Sequence, residues 1–360
     1  MKKSKYGLVF VLVLVLVVAG ISFKTYFSQH GNLVENKAAL AKSGKVEPEI
    51  TYEINNLKAV TISNNYTSPT FSPDGKKLTI TNLNFTGINL INPEDGTLKV
   101  LTDDEGAGFR YSWSPDGKKI VYLSRRIEGG KSVNTVKLAE TETGKIIPLT
   151  AGGIGASMPA FTPANEIIYS FKGTLIKRKK ESIDVEEVVA EKVPANIIIP
   201  TTTGDWLIVE DDEGIKIMDN HAKNRKTIVK NGPKDFACNS KISSDGRKVM
   251  YSNNIETIDH LFVYDTVSEN TVDLGEGFWG QWMPDNRIIY CIPQNSGNRI
   301  IASELFVINP DGTGKTKITD TPDIIEIQPA LSPNGKSIAF RDEKSGKIFI
   351  GELNVKIKNE

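Results

Sequence analysis

Histidine and cysteine are scarce, at three and two among 360 residues. So few thiols exclude both a disulfide scaffold and a cysteine-ligated zinc site. His30, His221 and His260 fall in unlike places along the chain, which argues against a shared metal centre. Neither sign of charge is in surplus: 44 basic residues face 44 acidic ones, and no basic stripe appears. Nucleic acid is therefore not the expected partner. A Gly-x-Ser-x-Gly nucleophile elbow is missing. The acidic clusters Asp103-Asp104-Glu105, Glu210 to Glu213, and Asp320 with Asp323 and Glu326 match no calcium-loop spacing and read as solvated loop charge. Asn309 to Thr316 has Asn where a phosphate loop needs its first Gly, and it precedes a strand, so it reads as a turn. No catalytic residue, metal or cofactor is expected.

One long apolar run is present, near the start. Tyr6 to Phe23 carries no charge, and Lys2, Lys3 and Lys5 precede it. Its length is close to the ~20 residues a helix needs to span a bilayer. The lysine bias puts the N-terminus inside and the body outside. Two readings stay open: an uncleaved anchor at residues 6–23 behind a cytoplasmic tail at 1–5, or a cleaved signal peptide that leaves the body secreted or periplasmic. The anchor fits the longer run better. Residues 24–48 read as a stalk, and 49–360 as one folded body.

That body is built on a repeated phrase. Phe71-Ser72-Pro73-Asp74-Gly75-Lys76-Lys77-Leu78 returns as Trp113 to Ile120, Ile242 to Val249, Trp282 to Arg287 and Leu331 to Lys336. Pro presets a turn φ, Asp or Asn bonds its own backbone, and Gly accepts a positive φ, so each copy reads as strand, tight turn, strand. Worn copies lie at Phe161 to Tyr169 and Pro200 to Ile208. The second turn position then falls at 73, 115, 163, 202, 244, 284 and 333. A hairpin recurring at a period of roughly forty residues signals a β-propeller. The expected fold is all-β, with seven four-stranded blades; six is the second count. Leu57 to Thr61 resembles Leu98 to Thr102 and is expected to close the last blade as its outer strand, with Val355 to Lys358 as the alternative. Cys238 and Cys291 sit in neighbouring blades. Their pairing stays open, with two packed thiols the simpler reading.

The Ser-Pro-Asp-Gly-Lys-Lys phrase, with an aromatic before it and Ile-Val-Tyr after it, resembles the repeat of the TolB-type β-propellers across residues 49–360. The resemblance implies the fold. It implies little about function, because the turn is a structural device. Proteins of this type include periplasmic translocation proteins, envelope binding proteins, peptidase propeller domains and oligogalacturonate lyases. A lyase of this architecture is expected to carry a histidine-rich metal centre, which this sequence does not show.

In such a fold the D–A and B–C loops share one face around the channel mouth. That face is expected to collect Phe109, Arg110, Tyr111, Arg125, Arg126, Phe278, Trp279, Gln281, Asp320 and Asp323. Aromatics with arginines are the residue types that anchor interfaces. Tyr111 and Trp279 could equally pack between blades. The functional expectation is a monomeric, exported, membrane-anchored, non-enzymatic propeller that binds a protein or peptide in the bacterial cell envelope. The alternative is an enzyme acting on envelope or extracellular polysaccharide through carboxylates at the channel mouth.

Overall fold

The computed structural model describes residues 49–153, 155–179, 182–232, 236–255 and 258–358. The anchor or signal segment, the stalk and His30 lie outside the described residues. Among the described residues, no helix is long and apolar enough to cross a membrane.

Strands pair antiparallel into seven four-stranded sheets. Blade 1 is Tyr66–Phe71, Leu78–Asn82, Ile88–Ile91 and Leu98–Thr102, hereafter strands A to D. Blades 2 to 6 follow in the same order, with A strands Tyr111–Trp113, Ala160–Phe161, Ile197–Pro200, Cys238–Ile242 and Phe278–Trp282. Blade 7 takes Glu326–Leu331, Ser337–Asp342 and Ile348–Lys358 as A, B and C, and its fourth strand is Glu49–Ala59. The ring is thus closed by the N-terminal strand, as the sequence predicts. That strand starts eight residues earlier than the Leu57 to Thr61 phrase and stops at Ala59. The alternative closure fails, because Val355 to Lys358 continue strand C and pair with Glu49 to Tyr52.

Strand B is buried on both faces, which is why it reads as a continuous apolar run. Ile120, Val121 and Tyr122 are all 0% exposed. The core lies between blades: Ile88, Leu90 and Leu101 of blade 1 pack on Ile120, Tyr122 and Ala139 of blade 2. Met250, Leu261 and Val263 of blade 5 meet Ile288, Tyr290 and Ile308 of blade 6 in the same way. Each blade therefore removes its neighbour's apolar face from water, at about 25 cal/mol per Å2.

The repeated turn is held by its serine. Ser72 Oγ donates to Asp74 Oδ1 (2.6 Å) and accepts from the Lys77 N–H (2.9 Å), while Asp74 Oδ1 accepts from the Lys76 N–H (3.1 Å). Gly75 takes φ +72°. Ser114, Ser243 and Ser332 repeat the pattern. The serine bond, with backbone help, holds the Asp74 and Asp116 carboxyls below their usual range. In the worn copies Thr162 and Thr201 supply the hydroxyl. The turns of blades 3 and 6 are one residue shorter, and Asn165 and Asn286 take the positive φ there.

Candidate functional site at the channel mouth

The A strands form the inner ring. Met158 and Ile197 bridge the A segments of blades 3 and 4 directly. Backbone bonds join D–A to B–C loops, as in Arg125 N to Glu105 O (2.7 Å) and Gly277 N to Asp259 O (2.9 Å), so these loops share one face.

Four A strands enter that face through a bulge. Register breaks between Thr67 and Thr70, Cys238 and Lys241, Phe278 and Gln281, and Ile327 and Ala330. Within each break one residue takes positive φ: Ser68 (54°), Asn239 (56°), Trp279 (53°) and Gln328 (54°). All four stand five residues before the second turn position, where blade 2 has Arg110. A bulge re-aims side chains, and here it does so at the inner rim. At the seam between blades 7 and 1, Gln328 Oε1 accepts from Thr67 Oγ1 (2.6 Å) and the Ser68 N–H (3.0 Å).

Arg110 reaches from blade 2 to the opposite side of the ring. Its Nη1 lies 3.9 Å from Glu210 Oε1 in blade 4, and its Nη2 lies 3.5 Å from Ser240 O in blade 5. Glu210 is 5% exposed, and Oε1 also accepts the Ser240 N–H (2.7 Å) and hydroxyl. Next along the strand, Lys241 Nζ donates to Gly280 O in blade 6 (2.9 Å). Withdrawal from water, then the charge of Arg110, pull the Lys241 pKa down from 10.5 to about 7. Burial pushes the Cys238 thiol up to about 12, so it stays protonated. Cys238 and Cys291 are both free thiols.

The remaining predicted residues divide. Phe278 and Trp279 meet edge-to-face at 4.6 Å, and Trp279 packs on the core between blades 6 and 7. Phe109 is 43% exposed and meets Phe85 edge-to-face at 5.4 Å. Arg125 and Gln281 are half-buried. Tyr111 is half-buried: its hydroxyl donates to Thr79 Oγ1 of blade 1 (2.6 Å) and its ring packs against the core between blades 1 and 2. Arg126 pairs with Glu128 in its own hairpin (2.7 Å), Asp320 with Lys317 (2.6 Å) and Asp323 with Lys344 (3.3 Å). The acidic clusters are only partly solvated. Asp104 accepts from Tyr122 Oη (2.7 Å) and Lys137 Nζ (2.9 Å), while Glu210 and Glu326 are buried. They are enclosed because repeat packing, which is silent in the charge pattern, puts them between strands.

Ser240 and Lys241 escaped the sequence reading, which took Glu210 for solvated loop charge. Lys241 is two places beyond the bulge residue in the repeat, as Gln281 is, and that alignment was the available signal. Among the described residues, no group of three His, Cys, Asp or Glu could hold a metal ion.

The loop face also carries an apolar rim. Leu83, Phe109, Ile127, Phe236, Ile258 and Ile301 are exposed there by 50, 43, 63, 39, 44 and 57%. Ile127, Ile258 and Ile301 sit near the tips of the long B–C hairpins of blades 2, 5 and 6, whose strands run eight to ten residues. The opposite face presents the Asp-Gly turns with Lys76 and Lys118, both exposed.

The fold and its mouth define a seven-bladed β-propeller. No protein-family model matches the chain, and no curated protein does. Among solved structures it is similar to an oligogalacturonate lyase from Vibrio parahaemolyticus, with TM-score 0.59 and 14% identity over 85% of this chain and 98% of that one. The Swd1 β-propeller domain of Myceliophthora thermophila gives TM-score 0.55 and 15% identity over 82% and 98%. TolB from Acinetobacter baumannii is a more distant likeness, with TM-score 0.41 and 14% identity over 80% and 62%. At these identities the likeness is one of fold.

Proposed function

We propose that the chain is a non-enzymatic binding module whose loop face holds a protein or peptide, with the apolar N-terminal segment fixing it to a membrane on the non-cytoplasmic side. The observation that carries the binding reading is the apolar rim on projecting hairpins around a mouth lined by Arg110, Lys241 and Trp279. Exposed aliphatic and aromatic side chains gathered on one face mark interaction surfaces. Membrane attachment rests on Tyr6 to Phe23 and its flanking lysines. At Asp320, polysaccharide chemistry finds less support. Lys317 holds the Asp320 carboxyl below its usual range, which suits an ion pair better than a proton donor.

The test is site-specific photocrosslinking in the source cell's envelope. A photoreactive residue at Ile127 or Ile301 should yield one discrete adduct that the same residue at Lys118, on the opposite face, does not. Identical adducts from both faces, or none from the hairpins, would overturn the reading.

A further inference from the structure

Two basic side chains meet at the channel mouth, and among the described residues only one carboxylate lies within ion-pair reach of either. Among the described residues Arg110 pairs with one carboxylate, at 3.9 Å, and that carboxylate already serves Ser240. Its hydrogen bond to Ser240 O is long, at 3.5 Å. A guanidinium has five donors in a planar fork, so most of its capacity is unused. Lys241 touches no carboxylate among the described residues; its ammonium rests on a backbone carbonyl. Asp259, on strand C of the same blade, is bonded to Asn254.

The fold holds this arrangement firmly. Trp282 Nε1 donates to Lys241 O (3.1 Å), which pins the strand carrying the lysine. Ser240 is fixed by Glu210 through both its amide and its hydroxyl. Lys241 is therefore presented by a bonded strand. A mouth that only needed lining could use apolar residues, as blade 3 does with Met158 and Ala160 at the equivalent repeat positions. Two basic side chains brought together from different blades, one of them resting only on a backbone carbonyl, indicate a ligand that supplies the opposite charge.

We propose that Arg110 and Lys241 form a carboxylate-binding pair, which takes an acidic group of the bound peptide into the channel mouth. This rests on the peptide-binding reading above and specifies its chemistry. Arg110 would grip the carboxylate through two parallel N–H donors while Lys241 adds a third from blades 5 and 6. Phe278 and Trp279, whose rings meet edge-to-face, precede Gly280 in the same strand and would cover the apolar part of the same peptide residue. A peptide is favoured over an acidic saccharide because the surrounding rim is aliphatic and aromatic rather than hydrogen-bonding.

The experiment uses the full chain against a peptide array in matched sets. Each peptide appears with its acidic side chains intact, with Glu and Asp replaced by Gln and Asn, and with a free or an amidated C-terminus. Trigalacturonate is titrated in parallel. The variants are Arg110→Gln, Lys241→Gln, Lys241→Arg and Ile301→Asp. We expect peptides whose binding falls at least tenfold when one carboxylate becomes a carboxamide. The same peptides should lose a similar factor in Arg110→Gln, and the two losses should not add. Lys241→Arg should keep most of the affinity and guards against misfolding of Lys241→Gln. Which replacement matters tells a side-chain carboxylate from a chain terminus. Peptides that bind equally as acid and amide, yet are lost in Ile301→Asp, would overturn the carboxylate pair and leave peptide binding standing. No bound peptide, or trigalacturonate alone bound, would overturn both.

Discussion

Glu326 shows how a single residue can work against the fold that contains it. It opens strand A of blade 7, is 0% exposed, and has one carboxylate oxygen with no hydrogen-bond partner among the described residues. The other accepts the Thr321 hydroxyl. Burial raises its pKa from 4.5 to about 7, and the charges of Glu304 and Asp342 push the same way. Because the folded pKa is raised, the neutral form favours folding below about pH 4.5, and that advantage disappears as pH climbs towards 7. Glu326→Gln should therefore change stability little at pH 5 and increase it by about 1–3 kcal/mol at pH 8. Urea titrations at the two pH values check this; an equal difference at both would refute it. Sequence reading took Glu326 for loop charge. Its repeat position is Gly108, Ala156, Ala195, Ala237 and Gly277 in blades 2 to 6, so size, not charge, was the informative property.

At the scale of the element, the turn was legible and its main fastener was not. Pro, Asp and Gly declare a tight hairpin to any reader of sequence. The serine looks incidental, yet its hydroxyl ties the two ends of the turn together from a position with 0% exposure at Ser72 and Ser114. Ser114→Ala leaves the Lys119 N–H without its acceptor and Asp116 Oδ1 with only the Lys118 N–H, which should cost about 1–2 kcal/mol. Ser114→Thr should recover part of it, since Thr162 and Thr201 do this work in blades 3 and 4. A urea midpoint unchanged in Ser114→Ala would refute the role. The A-strand bulges were not legible for a different reason. They answer to contacts with other blades, as between Gln328 and Thr67, more than 250 residues apart, and no local pattern encodes that distance.

For the whole molecule, the count of blades and the manner of closure could be read from phrase spacing, because both are consequences of repetition. The mouth could be read only in part: Arg110 was placed there by the repeat, but its meeting with Glu210 and Lys241, from two other blades, arises only when the ring is complete. Closure itself is narrowly fitted. Gly351 lies opposite the bulge between Asn55 and Lys58, and a Cβ there would come within 2.7 Å of Ile54 Cγ2 and 3.1 Å of Asn55 O. Gly351→Val should push the N-terminal strand outward and cost about 1–3 kcal/mol. Amide exchange should accelerate across 49–59 and 348–358 while blade 3 keeps its protection. Uniform loosening, or none, would count against a local wedge.

Closure by Glu49–Ala59 also sets a clock on synthesis. This strand leaves the ribosome first among the described elements, and its partner Ile348–Lys358 last. At about 5–20 residues per second, the interval is roughly 15–60 s. Throughout that time an eleven-residue strand has no mate, and the A strand of blade 1 has no blade 7 to lean on. Such an unpaired edge can pair with the wrong chain. Its charged and amide residues, Glu49, Glu53, Asn55, Asn56 and Lys58, then act as a safeguard during translation, keeping the waiting strand soluble until the last blade arrives.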